Sequence, residues 1–252
     1  MGVPRAAVLV AMLTGTAIGP AAADSIATDR PGNGNSPSTV PAWRFQIETS
    51  ASYAYESDSN LVTAPTSLRF GLPGSFELRL ISGLVAVASF DSGSTEVGPL
   101  DTAIGSKYYI TEQRGAVPQL GVVVDVTVPT GDDLFTSDAV IPDARFAAIW
   151  VLPAKLSVLA NLGVVVPDDA AGRYAQLLYL TSLGYSLTDR LFVFGESFGL
   201  IDTSGDRDHL IQLDWGAAYL LADDYQLDVF GQHGITDAAP TFQIAAGFSA
   251  RL

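Results

Sequence analysis

The sequence predicts an all-β fold, a transmembrane antiparallel up-and-down β-barrel of about twelve strands, from three observations. Runs of about ten residues alternate apolar with polar or small residues, which is the period of a β-strand. The linkers between these runs are alternately short and long, and the long linkers carry most of the acidic residues. The last run continues to Leu252, so it can close the barrel by pairing with the first run.

Twelve such runs follow one another from residue 43 to residue 252. Most have the length of about 10 residues that a tilted strand needs to cross a membrane. An even number of strands places both termini of a closed barrel on the periplasmic side of an outer membrane. The runs are Trp43–Tyr55, Ala64–Phe70, Phe76–Val87, Leu100–Ile110, Val117–Pro129, Ala139–Trp150, Lys155–Val166, Tyr174–Leu187, Arg190–Ile201, His209–Leu221, Tyr225–Gly234 and Phe242–Leu252.

The two faces of these runs differ in polarity. In the fifth run, Val122 and Val124 share the face opposite Asp125, and in the last run Phe248 lies on the face opposite Arg251. In an outer membrane the apolar face meets lipid and the polar face lines a lumen. A soluble β-sandwich or lipocalin-like barrel would bury one face instead; the number and length of the strands favour the membrane. The limits of the strands within residues 76–100 stay open, because LRLISGLVAVASF is less polar than is usual for such a region.

The N-terminus predicts export. Residues 1–23 have a charged start at Arg5, an apolar stretch from Ala6 to Gly19 and a small-residue cleavage site at Ala21-Ala22-Ala23, which is the pattern of a signal peptide. An N-terminal anchor is the alternative, but the apolar stretch is short for a span of about 20 residues. We therefore expect the outer membrane of a Gram-negative bacterium as the location.

Residues 24–42 form an irregular segment rich in Gly, Pro, Ser and Thr, which precedes the barrel over 43–252. Two interpretations are open for it. It is a plug inside the lumen, in which Asp29 and Arg30 pair with lumen charges, or it is a disordered periplasmic leader.

The charge pattern limits the partners. The chain has a formal net charge of -14, and nucleic-acid binding calls for a basic patch. The long acidic linkers are assigned to the outer side, where divalent ions would bridge them to lipopolysaccharide, with membrane lipid around the barrel.

Asp132 and Asp133 in TGDDLFTSD are weak candidates for a divalent cation; a solvated acidic loop is the simpler interpretation. No cofactor is predicted, and the oligomeric state is left open.

Several segments resemble a bacterial outer-membrane family labelled "putative phenol meta-pathway degradation protein" or transporter. They are TDRPGNGNSPSTVPAWRFQIETSASYAYE, LRFGLPGSFELRL, VDVTVPTGD and the C-terminal stretch from LFVFGESFG to the end. The resemblance covers nearly all of the mature chain. It implies an outer-membrane β-barrel that transports small molecules, aromatic or other hydrophobic compounds among them, and it defines no catalytic residue.

Charged side chains on the inward face are the candidates for a lumen constriction. They are interpreted as an ion-pair network that braces the barrel, or as a polar constriction that selects solutes. The candidates are Arg44, Glu48, Arg69, Arg79, Lys107, Asp125, Arg145, Glu196, Asp214, Asp228 and Arg251. Phe192, Phe194 and Phe198 share the parity of Glu196, which indicates an apolar patch inside the barrel or a local change of register.

An enzymatic function is not predicted. An outer-membrane hydrolase needs a serine and a histidine held together, and neither His209 nor His233 has a nucleophile motif beside it. We expect passive uptake of small solutes, hydrophobic or aromatic ones included. The alternative is a structural or surface-interaction protein whose lumen is plugged and which transports nothing.

Overall fold

The computed structural model describes residues 25–252, and the signal peptide predicted over 1–23 lies outside the described residues. No helix in 25–252 is long and apolar enough to cross a membrane. The strands are β1 (Phe45–Tyr55), β2 (Ser59–Leu72), β3 (Phe76–Phe90), β4 (Thr95–Gly98), β5 (Thr102–Thr111), β6 (Gln119–Val128), β7 (Ile141–Val151), β8 (Leu156–Val165), β9 (Asp168–Asp169), β10 (Gly172–Arg173), β11 (Gln176–Ser186), β12 (Leu191–Asp202), β13 (Leu210–Ala222), β14 (Tyr225–Gly234) and β15 (Phe242–Arg251).

The strands form a closed antiparallel barrel of twelve wall positions, which confirms the predicted fold. Each wall strand pairs with the next one along the chain, and β1 also pairs with β15, with Gln46 opposite Arg251. Strands β4 and β5 both pair with β3, so together they fill one position. Strands β9 and β10 are a separate short hairpin in a loop.

The two ends of the barrel differ in the length of their connections. The short connections and both ends of the wall lie together, and Arg44 Nε donates a hydrogen bond of 2.7 Å to the Leu252 carbonyl there. We call this the turn end. The longer connections, including 129–140, 166–175 and 203–209, lie at the opposite end, the loop end. Short and long connections thus alternate between the two ends, as the linker lengths predict.

The outer surface of the wall is apolar. Ile104, Phe146 and Leu162 point outward and are 58%, 62% and 57% exposed in the isolated chain. Inward neighbours on the same strands, such as Lys107 and Arg145, are buried. Because successive side chains of a strand alternate between faces, each strand presents an apolar side to lipid and a second side to the lumen.

A β-bulge interrupts the alternation within residues 76–100. The register between β2 and β3 shifts between Thr63 and Pro65, and Leu84 and Val85 are both exposed in succession. Proline cannot donate a ladder hydrogen bond, so it is tolerated at such a bulge. Strand β3 therefore continues to Phe90, beyond the predicted run. At the bulge the side chains that face outward change from even-numbered to odd-numbered positions.

Candidate functional site

Residues 25–42 lie inside the barrel, and we call them the luminal segment. Most of their side chains are buried, among them Asp29, Arg30 and Asn33. The segment is hydrogen-bonded to inward side chains of β1, β2, β3, β5, β6, β8, β12, β13 and β14. It therefore contacts most of the circumference of the wall.

Asp29 lies in a pocket of three cations, which we call the cationic socket: Lys107, Arg69 and Arg79. Lys107 Nζ lies 2.6 and 2.7 Å from the two carboxylate oxygens of Asp29. Arg79 Nη1 and Arg69 Nη1 lie 3.3 and 3.5 Å from Oδ2. Burial alone would raise the pKa of Asp29, but Arg69, Lys107 and Arg79 outweigh it and hold this pKa below its usual range. Asp29 is therefore a charged carboxylate at neutral pH.

Two carboxylates of the wall orient Arg69 in the socket. Glu77 accepts two hydrogen bonds of 2.8 Å, from Nε and Nη2 of Arg69, in a bidentate pair. Glu48 accepts a third bond of 2.6 Å from Nη1, and it also accepts the backbone N–H of Asp29 at 2.9 Å. The same network thus braces the wall and holds the segment.

Arg30 pairs with a strand near the C-terminal edge of the wall. Its Nη2 lies 3.0 Å from Asp228 Oδ1 on β14, and both side chains are buried. Gly247 on β15 faces this pair, and a Cβ atom there would lie 2.5 Å from Arg30 Nε. A side chain at this position would displace the guanidinium, which passes directly over the backbone.

A pair of buried carboxyl groups holds the middle of the luminal segment. Glu196 and Asp214 lie opposite each other on β12 and β13. Glu196 accepts the backbone N–H of Asn33 at 2.8 Å, and Asp214 accepts the Asn33 side-chain amide at 2.8 Å. Gln212 donates to Asp214 at 3.0 Å. At this level the wall therefore binds the backbone N–H and the side-chain amide of Asn33 rather than a charged group.

Asn35 connects opposite sides of the lumen. Arg79 Nη1 on β3 donates to Asn35 Oδ1 at 2.6 Å, and Asn161 on β8 exchanges two hydrogen bonds with the Asn35 backbone, at 2.6 and 2.9 Å. Since one residue spans from β3 to β8, the lumen is narrow at this level.

The interior has a charged half and an apolar half. The charged half is the inward face of β1, β2, β3 and β5, which carries the socket, Glu48 and Glu77. The apolar half is the inward face of β7, β8, β11 and β12, where buried side chains form one cluster: Ile149, Leu159, Leu178, Leu180, Phe198 and Leu200. Phe192 and Phe194 are also buried inside, stacked at 6.4 Å between ring centroids. The shared parity with Glu196 is therefore an apolar patch rather than a change of register.

Two further predicted lumen residues, Asp125 and Arg145, are paired with charged side chains of the wall. Asp125 Oδ1 is 3.3 Å from Arg79 Nε, and Arg145 is paired with Asp143 two residues before it on β7. These pairs extend the charged half toward β7.

Arg44 and Arg251 are predicted in the constriction, and the structure places them at the rim of the turn end. Both guanidinium groups reach Asp224 in the β13–β14 turn, at 3.5 and 2.6 Å. Their side chains are 43% and 10% exposed. Their strand positions are so close to the end of the wall that a long side chain bends to the nearby turn.

The loop end is partly covered by the 129–140 loop. Asp101 accepts hydrogen bonds from Gly131 N at 2.9 Å and from Ser137 N at 2.8 Å, and Phe135 is buried inside the barrel mouth. Asp132 and Asp133 are exposed on this loop. Within 25–252, no group of three or more His, Cys, Asp or Glu side chains could hold a metal ion.

The contacts that sequence reasoning missed are mostly amides. Gln46 donates to the Ala27 carbonyl at 3.0 Å, Gln226 to the Arg30 carbonyl at 3.1 Å, and Gln119 to Ser38 at 2.9 Å. All three lie on the inward parity, which is the signal that could have indicated them.

Comparisons with known proteins agree with this architecture. The family model described as "Putative MetA-pathway of phenol degradation" matches residues 28–252. The COG4313 outer membrane channel from Pseudomonas putida F1 superposes with a TM-score of 0.63 at 17% identity, over 88% of this chain and 99% of that one. The NanC porin superposes with a TM-score of 0.57 at 9% identity, over 82% and 100%. The KdgM porin solved with disordered oligogalacturonate has a TM-score of 0.53 at 11% identity, over 82% and 98%. No curated protein sequence matches the chain.

Proposed function

This chain belongs to the family described as "Putative MetA-pathway of phenol degradation", and from that premise we propose that it is an outer-membrane channel for the passive uptake of small hydrophobic or aromatic solutes. The observation that carries the proposal is the apolar half of the lumen. Inward residues of a barrel that spans an outer membrane are ordinarily polar, whereas here Leu159, Leu178, Leu180 and Phe198 are aliphatic or aromatic and face inward.

Passage requires the luminal segment to move. The segment crosses from the charged half to Asn161 on β8, so a solute has to displace it or pass beside it. In the apolar half the segment is hydrogen-bonded to Asn161 and Glu196, and its glycines lie against aliphatic side chains: a Cβ atom at Gly34 would be 2.7 Å from Leu159. A solute that enters along the apolar half therefore meets backbone and these hydrogen-bonding side chains rather than ion pairs.

The rest of the proposal concerns location and chemistry. Residues 1–23 are removed on export, the turn end faces the periplasm, and the acidic loops face outward toward lipopolysaccharide. The channel is not an enzyme: His209 Nδ1 accepts the backbone N–H of Asp202 at 3.2 Å and so acts within the loop.

A second candidate function rests on the number of bonds that hold the segment. A segment bonded to both sides of the lumen suits a protein whose barrel stays closed and whose loops form an interaction surface. Planar-bilayer conductance and liposome swelling separate the two functions, measured with the full mature chain and with a variant that lacks residues 24–42. Uptake of toluene or benzyl alcohol into liposomes by the full chain supports the channel. Heat-modifiable migration shows whether the barrel is folded in each form. If both folded forms give no conductance and no uptake, the channel function is contradicted.

A further inference from the structure

One cation of the socket depends on the luminal segment for its ion pair. Arg69 is paired with Glu48 and Glu77, and Arg79 is paired with Asp125, so the wall itself supplies partners for both. Lys107 differs. Within residues 25–252, Asp29 is the one carboxylate within ion-pair distance of its Nζ. The partner of Lys107 thus belongs to the segment that has to move.

Displacing the luminal segment removes the carboxylate that is bonded to Lys107. Glu77, the cross-strand neighbour of Lys107, stays in the wall but is held by Arg69 in a bidentate pair. Lys107, Arg69 and Arg79 are buried while the segment is docked and face the lumen once it leaves. A carboxylate that enters this place accepts the charge-assisted hydrogen bonds that Asp29 accepted.

Asn35 joins the socket to the apolar half. Asp29 Oδ2 and Asn35 Oδ1 both lie on Arg79 Nη1, at 3.3 and 2.6 Å. The residue before Asn35 is Gly34, whose Cβ would lie 2.7 Å from Leu159 Cδ2 and 2.9 Å from Leu180 Cδ2. One short stretch of the luminal segment thus reaches from the socket to the apolar half.

Glycines are what the luminal segment places against this apolar surface. A Cβ at Gly32 would lie 3.1 Å from Phe194, as the one at Gly34 would lie against Leu159. The Glu196 carboxylate borders the same two Cβ positions, at 3.2 and 3.3 Å. Backbone atoms cover the apolar side chains and gain little from apolar contact, whereas an apolar group in the same space would bury its surface against them.

We propose that the cationic socket binds the carboxylate of a small organic acid with an apolar body, and that Asp29 occupies this site as an internal competitor. The acid's carboxylate takes the place of the Asp29 carboxylate between Lys107, Arg69 and Arg79. Its apolar body rests on Leu159, Leu180 and Phe194. The inference deepens the proposed channel function, on which it rests, by naming a class of solute, and it makes the solute itself the agent that releases the segment.

The test uses benzoate as the probe and the full mature protein in detergent, with binding measured by calorimetry. Asp29→Asn keeps the size of the side chain and removes the competing charge. We expect this variant to bind benzoate about tenfold more tightly than the unchanged protein, because a competitor held by charge-assisted bonds has been weakened. Benzyl alcohol, which has the ring without the charge, gains nothing.

Matched lysine variants locate the effect. In the Asp29→Asn background, Lys107→Gln removes the gain, while Lys155→Gln, at an exposed lysine of the turn end, keeps it. Heat-modifiable migration checks the fold of each. If Lys107→Gln does not fold, Lys107→Arg replaces it: this variant keeps the charge and has to keep the gain.

The possible results separate the two proposals. No gain of benzoate binding in folded Asp29→Asn, or an equal gain for benzyl alcohol, overturns the socket. Loss of the gain in folded Lys107→Arg also overturns it. Benzoate binding without any solute flux in bilayers supports the socket and contradicts the channel. Flux of neutral aromatics with no benzoate binding supports the channel and overturns the socket.

Discussion

The charged half and the apolar half of the lumen hold the luminal segment in different ways. In the charged half, Lys107 and Arg69 bind one carboxylate through directed bonds of fixed length. In the apolar half, Leu159 and Phe194 lie against the glycines of the segment, and the hydrogen bonds there are made with Asn161 and Glu196. Directed bonds select one partner, whereas apolar contact accepts many shapes. The Asp29 carboxylate is therefore held by the charged half, and the apolar half holds the backbone of the segment.

A single reporter can follow the segment in all of the variants below. The chain contains no cysteine, so Ser36→Cys introduces one thiol at a buried position of the segment. Dithiodipyridine, which also reacts with thiols in acid, modifies this reporter thiol slowly while the segment is docked and fast once it leaves.

The largest effect is expected from breaking the charged half. Arg69→Ala leaves Glu48, Glu77 and Asp29 with one cation fewer among them. Removing one partner of a buried ion network costs about 3–5 kcal/mol, so the urea midpoint falls and the reporter thiol reacts fast. Lys155→Ala, at an exposed pair, serves as the control and changes neither. A slowly reacting thiol in folded Arg69→Ala would show that the socket does not hold the segment.

A change of similar chemistry in the apolar half should destabilise the barrel without releasing the segment. Phe198→Ala empties a fully buried position between Leu178 and Leu200, which costs about 3 kcal/mol. We expect a lower urea midpoint, unchanged labelling kinetics of the reporter thiol and faster uptake of benzyl alcohol into liposomes. Fast labelling of the thiol in this variant would mean that the two halves act together and that the comparison fails.

Two glycines offer a smaller, matched perturbation. Gly121→Ala places a Cβ 2.9 Å from Pro37 Cα, so the segment has to shift, whereas Gly195→Ala faces open space on the outer surface. Both changes put alanine into a strand, so the backbone effect is shared. We expect faster labelling of the reporter thiol in Gly121→Ala alone, with folding stability within about 1 kcal/mol of the unchanged protein in both. Equal labelling rates would contradict the placement of Pro37 against β6.

Acid is the mildest perturbation of the charged half. The pKa of Asp29 is lowered from 3.8 to about 2, because burial raises this pKa by less than Arg69, Lys107 and Arg79 lower it. The stabilisation from this carboxylate is therefore fully present above about pH 4 and is lost as the pH falls through about 2. We expect labelling of the reporter thiol to stay slow from about pH 7 to about pH 4 and to accelerate below about pH 3. Acceleration already near neutral pH would assign the control of docking to another group.

The sequence predicts the wall of the barrel well and the contents of its lumen in part. Alternation places Lys107, Arg69 and Glu196 inward, because a strand has two faces and only one meets lipid. Pairing partners depend on which strands meet across the lumen, and alternation along one strand says nothing about that. The position of Asp29 in the socket therefore could not be derived. Nor could the rim position of Arg44, since the path of a long side chain depends on the turn beside it.

The contacts of residues 29 and 30 also concern how the barrel is assembled. Asp29 is bonded to Glu48 on β1, the first strand, while Arg30 is paired with Asp228 on β14 and lies over Gly247 on β15, the last strand. Two consecutive residues thus hold both sides of the seam where the sheet becomes a cylinder. The segment therefore links the first and last strands from inside the barrel, in addition to the backbone ladder between β1 and β15.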